Sequence, residues 1–103
     1  MESVIRSKVK VAVKQIEPSA EIILFGSRAR ESYHSGSDWD FLILVDGEVD
    51  SARVDRIRHQ IFEIELETGE LLSSIVKNRN DWNSPRLRMI PLHDSIEQDG
   101  IIL

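Results

Sequence analysis

Two aspartates separated by one residue, Asp38 and Asp40, stand immediately before a strongly apolar run, Phe41 to Val45. Side chains at i and i+2 of a strand point to the same face, so the two carboxylates converge while Trp39 points away. Two like charges held together are unfavourable unless a cation lies between them. Mg²⁺ takes oxygen ligands, commonly one or two carboxylates with phosphates and waters completing the shell. Upstream, the apolar run Ile22 to Phe25 ends in Gly26-Ser27-Arg28-Ala29-Arg30. Glycine lets backbone approach a ligand closely. The free amides of a chain entering a helix form an anion site. The Ser27 hydroxyl adds a donor, Arg28 and Arg30 carry guanidinium forks suited to phosphate, and Ser37 lies at the far end of the same loop. Arg28 is read equally well as a surface charge, and Arg30 as the partner of a nearby acid. A phosphate cradle facing a carboxylate pair suits phosphoryl-type transfer, which needs aligned reactants and neutralised oxygens more than covalent help.

These residues need strands and turns to hold them, and the sequence supplies them in alternation. Val4, Ile5, Val9, Ala12, Val13 and Ile16 have the spacing of an amphipathic helix over 2–16, stopped by Pro18. Residues 21–26 read as a short buried strand and 28–33 as a short helix. Residues 34–37 read as loop, and 38–46 as the clearest strand, apolar enough to be covered on both faces. Val54, Ile57, Ile61, Ile64 and, less regularly, Leu66 predict a helix over 51–67, with Gly69 as its stop. Residues 70–77 read as a third strand, 78–84 as a loop or one helical turn around Trp82, and 86–98 as a last helix ended by Gly100. The tail Ile101-Ile102-Leu103 is apolar and free to dock on the domain or on a partner. This order predicts an α/β fold, a small mixed β-sheet with flanking helices, in one domain over 1–103.

The 103 residues suit one small domain with a single core. The absence of cysteine excludes a disulfide framework and thiolate metal sites and fits a cytoplasmic location. No apolar run approaches the roughly 20 residues that span a bilayer, and the first residues lack a signal-peptide layout. The net charge of -5 argues against a nucleic-acid partner, since that binding rests on basic neutralisation of phosphates. His34, His59 and His93 are scattered without metal-ligand spacing.

Gly26-Ser27, ten intervening residues, then Asp38-Trp39-Asp40 resembles the signature of the polymerase-beta-like nucleotidyltransferase superfamily. Within it, Gly-Ser-Arg-Ala-Arg and Gly-Ser-Asp-Trp-Asp look like the minimal nucleotidyltransferase (MNT) group. The resemblance implies the polymerase-beta-like fold, and Mg²⁺ ions, two in number, held by catalytic Asp38 and Asp40. It implies a triphosphate, ATP or another NTP, on Gly26 and Ser27. It implies transfer of a nucleoside monophosphate, such as AMP, to a hydroxyl. Many MNT proteins act as antitoxins beside a helical HEPN-type partner, which implies such a partner as the acceptor. Active members place a third carboxylate on the next strand. Here the best register puts Ser73 there, leaving Glu67, Glu70 or a partner to supply the missing group. A serine is neutral at pH 7 and a weak metal ligand. Two alternatives therefore stand beside the enzyme: a nucleotide-binding module that neutralises its partner by contact, and a small-molecule (aminoglycoside-like) nucleotidyltransferase subunit.

Overall fold

The computed structural model describes residues 2–30, 34 and 36–103. Helix α1 (Glu2–Ile16) leads into strand β1 (Glu21–Phe25). Strand β2 (Trp39–Val45) is followed by helix α2 (Ser51–Thr68) and strand β3 (Leu72–Asn78). Three short helices, α3 (Arg79–Trp82), α4 (Pro85–Arg88) and α5 (Pro91–Asp99), precede a two-residue strand β4 (Ile101–Ile102). The sheet order is β3-β2-β1-β4. β1 pairs antiparallel with β2 and β4, and β2 pairs parallel with β3. The fold is thus mixed α/β with a four-stranded mixed sheet and flanking helices, as the element order predicts.

The period-2 alternation of β2 sorts its side chains into two cores. Trp39, Phe41, Ile43 and Val45 join Ile5, Val9 and Val13 of α1 and Ile57, Ile61 and Ile64 of α2. Leu42 and Leu44 face the other way, onto Trp82 of α3 and Ile96 of α5. Helices on both faces explain why β2 is nearly continuous in apolar residues. Asp40 falls in the row of Leu42 and Leu44, at its open end. Trp82 is a core anchor, 3% exposed, stacked on His93 with ring centroids 4.6 Å apart.

Three local expectations change, and one open alternative is decided. Residues 27–30 form a turn rather than the start of a helix, and 31–33 lie outside the described residues. Asp38 precedes β2 rather than lying within it. The last helix divides in two, because Pro91 has no amide to continue α4 and opens α5 instead. The apolar tail docks on its own sheet, with Ile101 and Ile102 pairing with Leu24 and Ile23. Gly69 ends α2 as expected, in the left-handed region at φ 76 with its amide donating to the Glu65 carbonyl.

Arg53 ties three segments together. Its guanidinium donates to both carboxylate oxygens of Glu17 at 2.9 and 2.7 Å and to the carbonyls of Asp46 and Glu48. The Arg53 hydrogen bonds hold the Glu17 carboxyl below its ordinary value. A lowered carboxyl pKa contributes stability above the unfolded value that is lost as pH falls through the folded one. Arg53→Ala is expected to cost about 2–3 kcal/mol in urea unfolding at pH 7, since it removes several charged hydrogen bonds at once. The difference between the two proteins should shrink as Glu17 is protonated.

Candidate functional site

The two halves of the motif meet because β1 and β2 run antiparallel. Phe25 pairs with Asp40, so the turn leaving β1 starts beside the aspartates. Gly26 is held at φ 76, and a Cβ there would collide with the Asp40 carboxylate. Both the backbone and the carboxylate therefore require glycine. Gly26→Ala is expected to destabilise the fold by about 1–3 kcal/mol through strain at this turn. It should also displace Asp40, read as a lower urea midpoint together with weaker metal-dependent nucleotide binding.

The carboxylates are arranged for a ligand outside the chain. Neither the Asp38 nor the Asp40 carboxylate accepts a hydrogen bond from, or makes an ion pair with, a described residue. The Asp40 carboxyl is raised above its ordinary value by burial and then by the Asp38 charge, with Arg30 pulling the other way. That pattern fits a divalent cation: it would satisfy both carboxylates and remove the repulsion between them. Among the described residues no group of three or more His, Cys, Asp or Glu could hold a metal. The carboxylate pair therefore needs substrate oxygens or water to complete a shell.

The turn after β1 is closed by Ala29 N donating to the Gly26 carbonyl and Arg30 N to the Ser27 carbonyl, each at 3.1 Å. The Ser27 hydroxyl has no described partner and is open to a ligand. Arg30 is exposed and within electrostatic reach of Asp40, so its charge is placed to meet an anion at this site. Ser37 accepts a hydrogen bond at Oγ from His34 N at 3.0 Å and keeps its own hydroxyl proton to donate.

Arg28 has a different place from the one its sequence position suggests. It is 6% exposed, and its guanidinium lies 4.5 Å from the centroid of the fully buried Trp39 ring. Nε and Nη2 donate to the Ser37 carbonyl at 3.3 and 3.2 Å. Arg28 thus clips the first half of the motif to the second and stacks on the residue between the aspartates. Its burial shows that it is not a surface charge.

The third strand presents a hydroxyl. Ser73 is the register partner of Asp40 across the parallel β2–β3 pair, so the two share a face. The acids weighed as substitutes are committed elsewhere. Glu67 makes its ion pair with Lys8 of α1, and Glu70 lies 3.8 Å from Arg28.

A family model described as a nucleotidyltransferase domain matches residues 6–96. No protein with a curated description matches the chain. A solved structure, described as the crystal structure of a toxin-antitoxin with AMP-PNP, superposes with a TM-score of 0.65. It covers 93% of this chain and 69% of its own, at 17% sequence identity, a likeness of fold. No described helix is long and apolar enough to cross a membrane.

Proposed function

From the premise that this chain belongs to the nucleotidyltransferase-domain family, we propose that it moves a nucleoside monophosphate, AMP from ATP, to a hydroxyl on a partner protein, and acts as an antitoxin. The observation that carries this reading is the unpartnered Asp38–Asp40 pair pressed against the Gly26 turn. Asp38 and Asp40 would hold Mg²⁺, which would supply charge neutralisation at the reacting phosphate. Gly26 and Ser27 seat the triphosphate, the exposed Arg30 draws it in, and Ser37 offers a hydroxyl at the loop's return. Arg28 and Trp39 keep the turn and the aspartates in register. The incoming hydroxyl oxygen bonds to the α-phosphorus, the bond to the bridging oxygen breaks, and pyrophosphate leaves. The hydroxyl proton passes to solvent or to a carboxylate of the pair.

The partner reading draws support from the similar fold noted above, which comes from a structure described as a toxin-antitoxin with AMP-PNP. A HEPN-type helical protein encoded beside this one is the expected acceptor. The test is incubation with α-phosphate-labelled ATP, Mg²⁺ and the adjacent gene's product. Label on that product supports the enzyme. A product neutralised without label overturns it in favour of the second reading, neutralisation by contact. That second reading is favoured by one observation, the neutral Ser73 beside Asp40.

A further inference from the structure

The second core is left open at the end of the sheet away from the aspartates. Glu21, Ile23 and Phe25 alternate on one face of β1 and pair with Leu44, Leu42 and Asp40. Phe25 ends this row beside the candidate site, and Glu21 begins it roughly 13 Å away at the rise of a strand. Around Glu21 the chain forms a cavity of about 250 Å³. Ile23, Leu44 and Ile102 of the sheet, Trp82 of α3 and Ile96 of α5 give it apolar walls. Glu21, Glu97, Asn83 and Arg79 bring polar groups to it.

These polar groups are unequally provided for. Arg79 already donates from Nε to Asp46 at 3.1 Å and from Nη2 to the Ser19 carbonyl at 2.8 Å. Asn83 donates from Nδ2 to the Arg79 carbonyl at 2.9 Å, and its side-chain oxygen accepts from no described residue. Glu21 is half-buried, and no described residue donates to its carboxylate or pairs with it. Glu97 reaches only His93 Nε2, at 3.9 Å, beyond hydrogen-bond range. His93 is itself 4% exposed and stacked on Trp82, and its Nε2 is buried without a hydrogen-bond partner. Native interiors leave few such groups unmet. Two carboxylates and an amide oxygen on an apolar cavity call for a ligand that brings donors and positive charge on an apolar stem.

We propose that this cavity binds a small aliphatic diamine, with one ammonium at Glu21, the other at Glu97 and the methylene stem against Trp82 and Ile96. Its volume lies just below the roughly 300–1,000 Å³ of drug-sized sites, which suits a ligand of metabolite size. Each ammonium gains charge-assisted hydrogen bonds to a carboxylate, and the stem gains apolar contact. The site is separate from Asp38 and Asp40, and binding here needs no nucleotide.

The test is calorimetric titration of the purified chain with putrescine, together with amide shifts of the isotope-labelled protein. Saturable binding is expected, with shifts at residues 21–23, 82–83 and 96–102 and a raised urea midpoint. Butylamine, with one ammonium, should bind about tenfold more weakly, and butanediol, with none, should not bind. Glu21→Gln and Glu97→Gln should each weaken putrescine about tenfold while unfolding near the wild-type urea midpoint, so that lost binding is not lost fold. Glu63→Gln removes an equal charge from the exposed face of α2 and should leave the affinity unchanged. No saturable heat up to about 10 mM putrescine overturns the proposal. Shifts centred on residues 38–40 overturn it in favour of the aspartate pair as the amine's seat. Equal affinity for butylamine overturns the diamine, and an equal loss in Glu63→Gln reduces the binding to attraction by an acidic surface.

Discussion

Asp38→Asn combined with Asp40→Asn is expected to abolish nucleotidyl transfer, a fall of at least about 10³-fold, since losing one pre-placed electrostatic group alone commonly costs about 10²–10³. The same variant should lose metal-dependent binding of a non-hydrolysable ATP analogue, read by calorimetry with and without Mg²⁺. Stability should move the other way. The Asp40 carboxyl is raised first by burial and then by Asp38, with Arg30 only partly compensating. A carboxyl raised in the folded state favours folding when protonated, and that contribution is lost as pH rises through its folded value. At pH 7 the metal-free wild type therefore carries the whole penalty, and Asp40→Asn should unfold at higher urea. The advantage should vanish below the ordinary carboxylate range, where wild-type Asp40 is already neutral. Saturating Mg²⁺ should reverse the ranking, because only the wild type gains from binding it. A double variant that keeps transfer would remove Asp38 and Asp40 from the reaction.

Much of the fold was legible because its signals are local. The 3.6-residue spacing in α1 and α2, the apolar run of β2 and the left-handed stop at Gly69 each need only near neighbours to be read. The juxtaposition of Gly26 with the aspartates was legible for a related reason: a turn and a strand mouth joined by a short loop have few ways to meet. What escaped depends on tertiary placement. Nothing in the sequence distinguishes an arginine that meets phosphate from one that stacks under a buried tryptophan, and Arg28 does the second. The tail Ile101-Ile102 carries no strand signal of its own and becomes β4 only because the edge of β1 is open to it. The break at Pro91 was visible as a residue, yet its consequence, two helices capping the second core, follows from packing on Leu42 and Leu44.

Ser73→Asp is expected to raise transfer by about 10²–10⁴, the usual worth of a positioned general base. The register places residue 73 directly beside Asp40 on one face, and Ser73 is exposed, so a carboxylate there has room and points toward the aspartates. Its effect on the metal-free protein should be the opposite. A third negative charge next to Asp40 adds repulsion, so the variant should unfold more easily without Mg²⁺ and recover more stability with it. Ser73→Asn tests shape without charge and should produce neither effect. Affinity for the ATP analogue should change little, because Gly26, Ser27 and Arg30 are untouched. A rise in turnover at constant nucleotide affinity would mean that residue 73 limits the chemical step and that the wild-type site is tuned to hold nucleotide more than to spend it. A stable, metal-responsive Ser73→Asp protein with unchanged turnover would mean that the base comes with the acceptor. The hydroxyl at 73 would then be room left for the partner's own group, and the carboxylate pair would be only half of a site that two proteins complete.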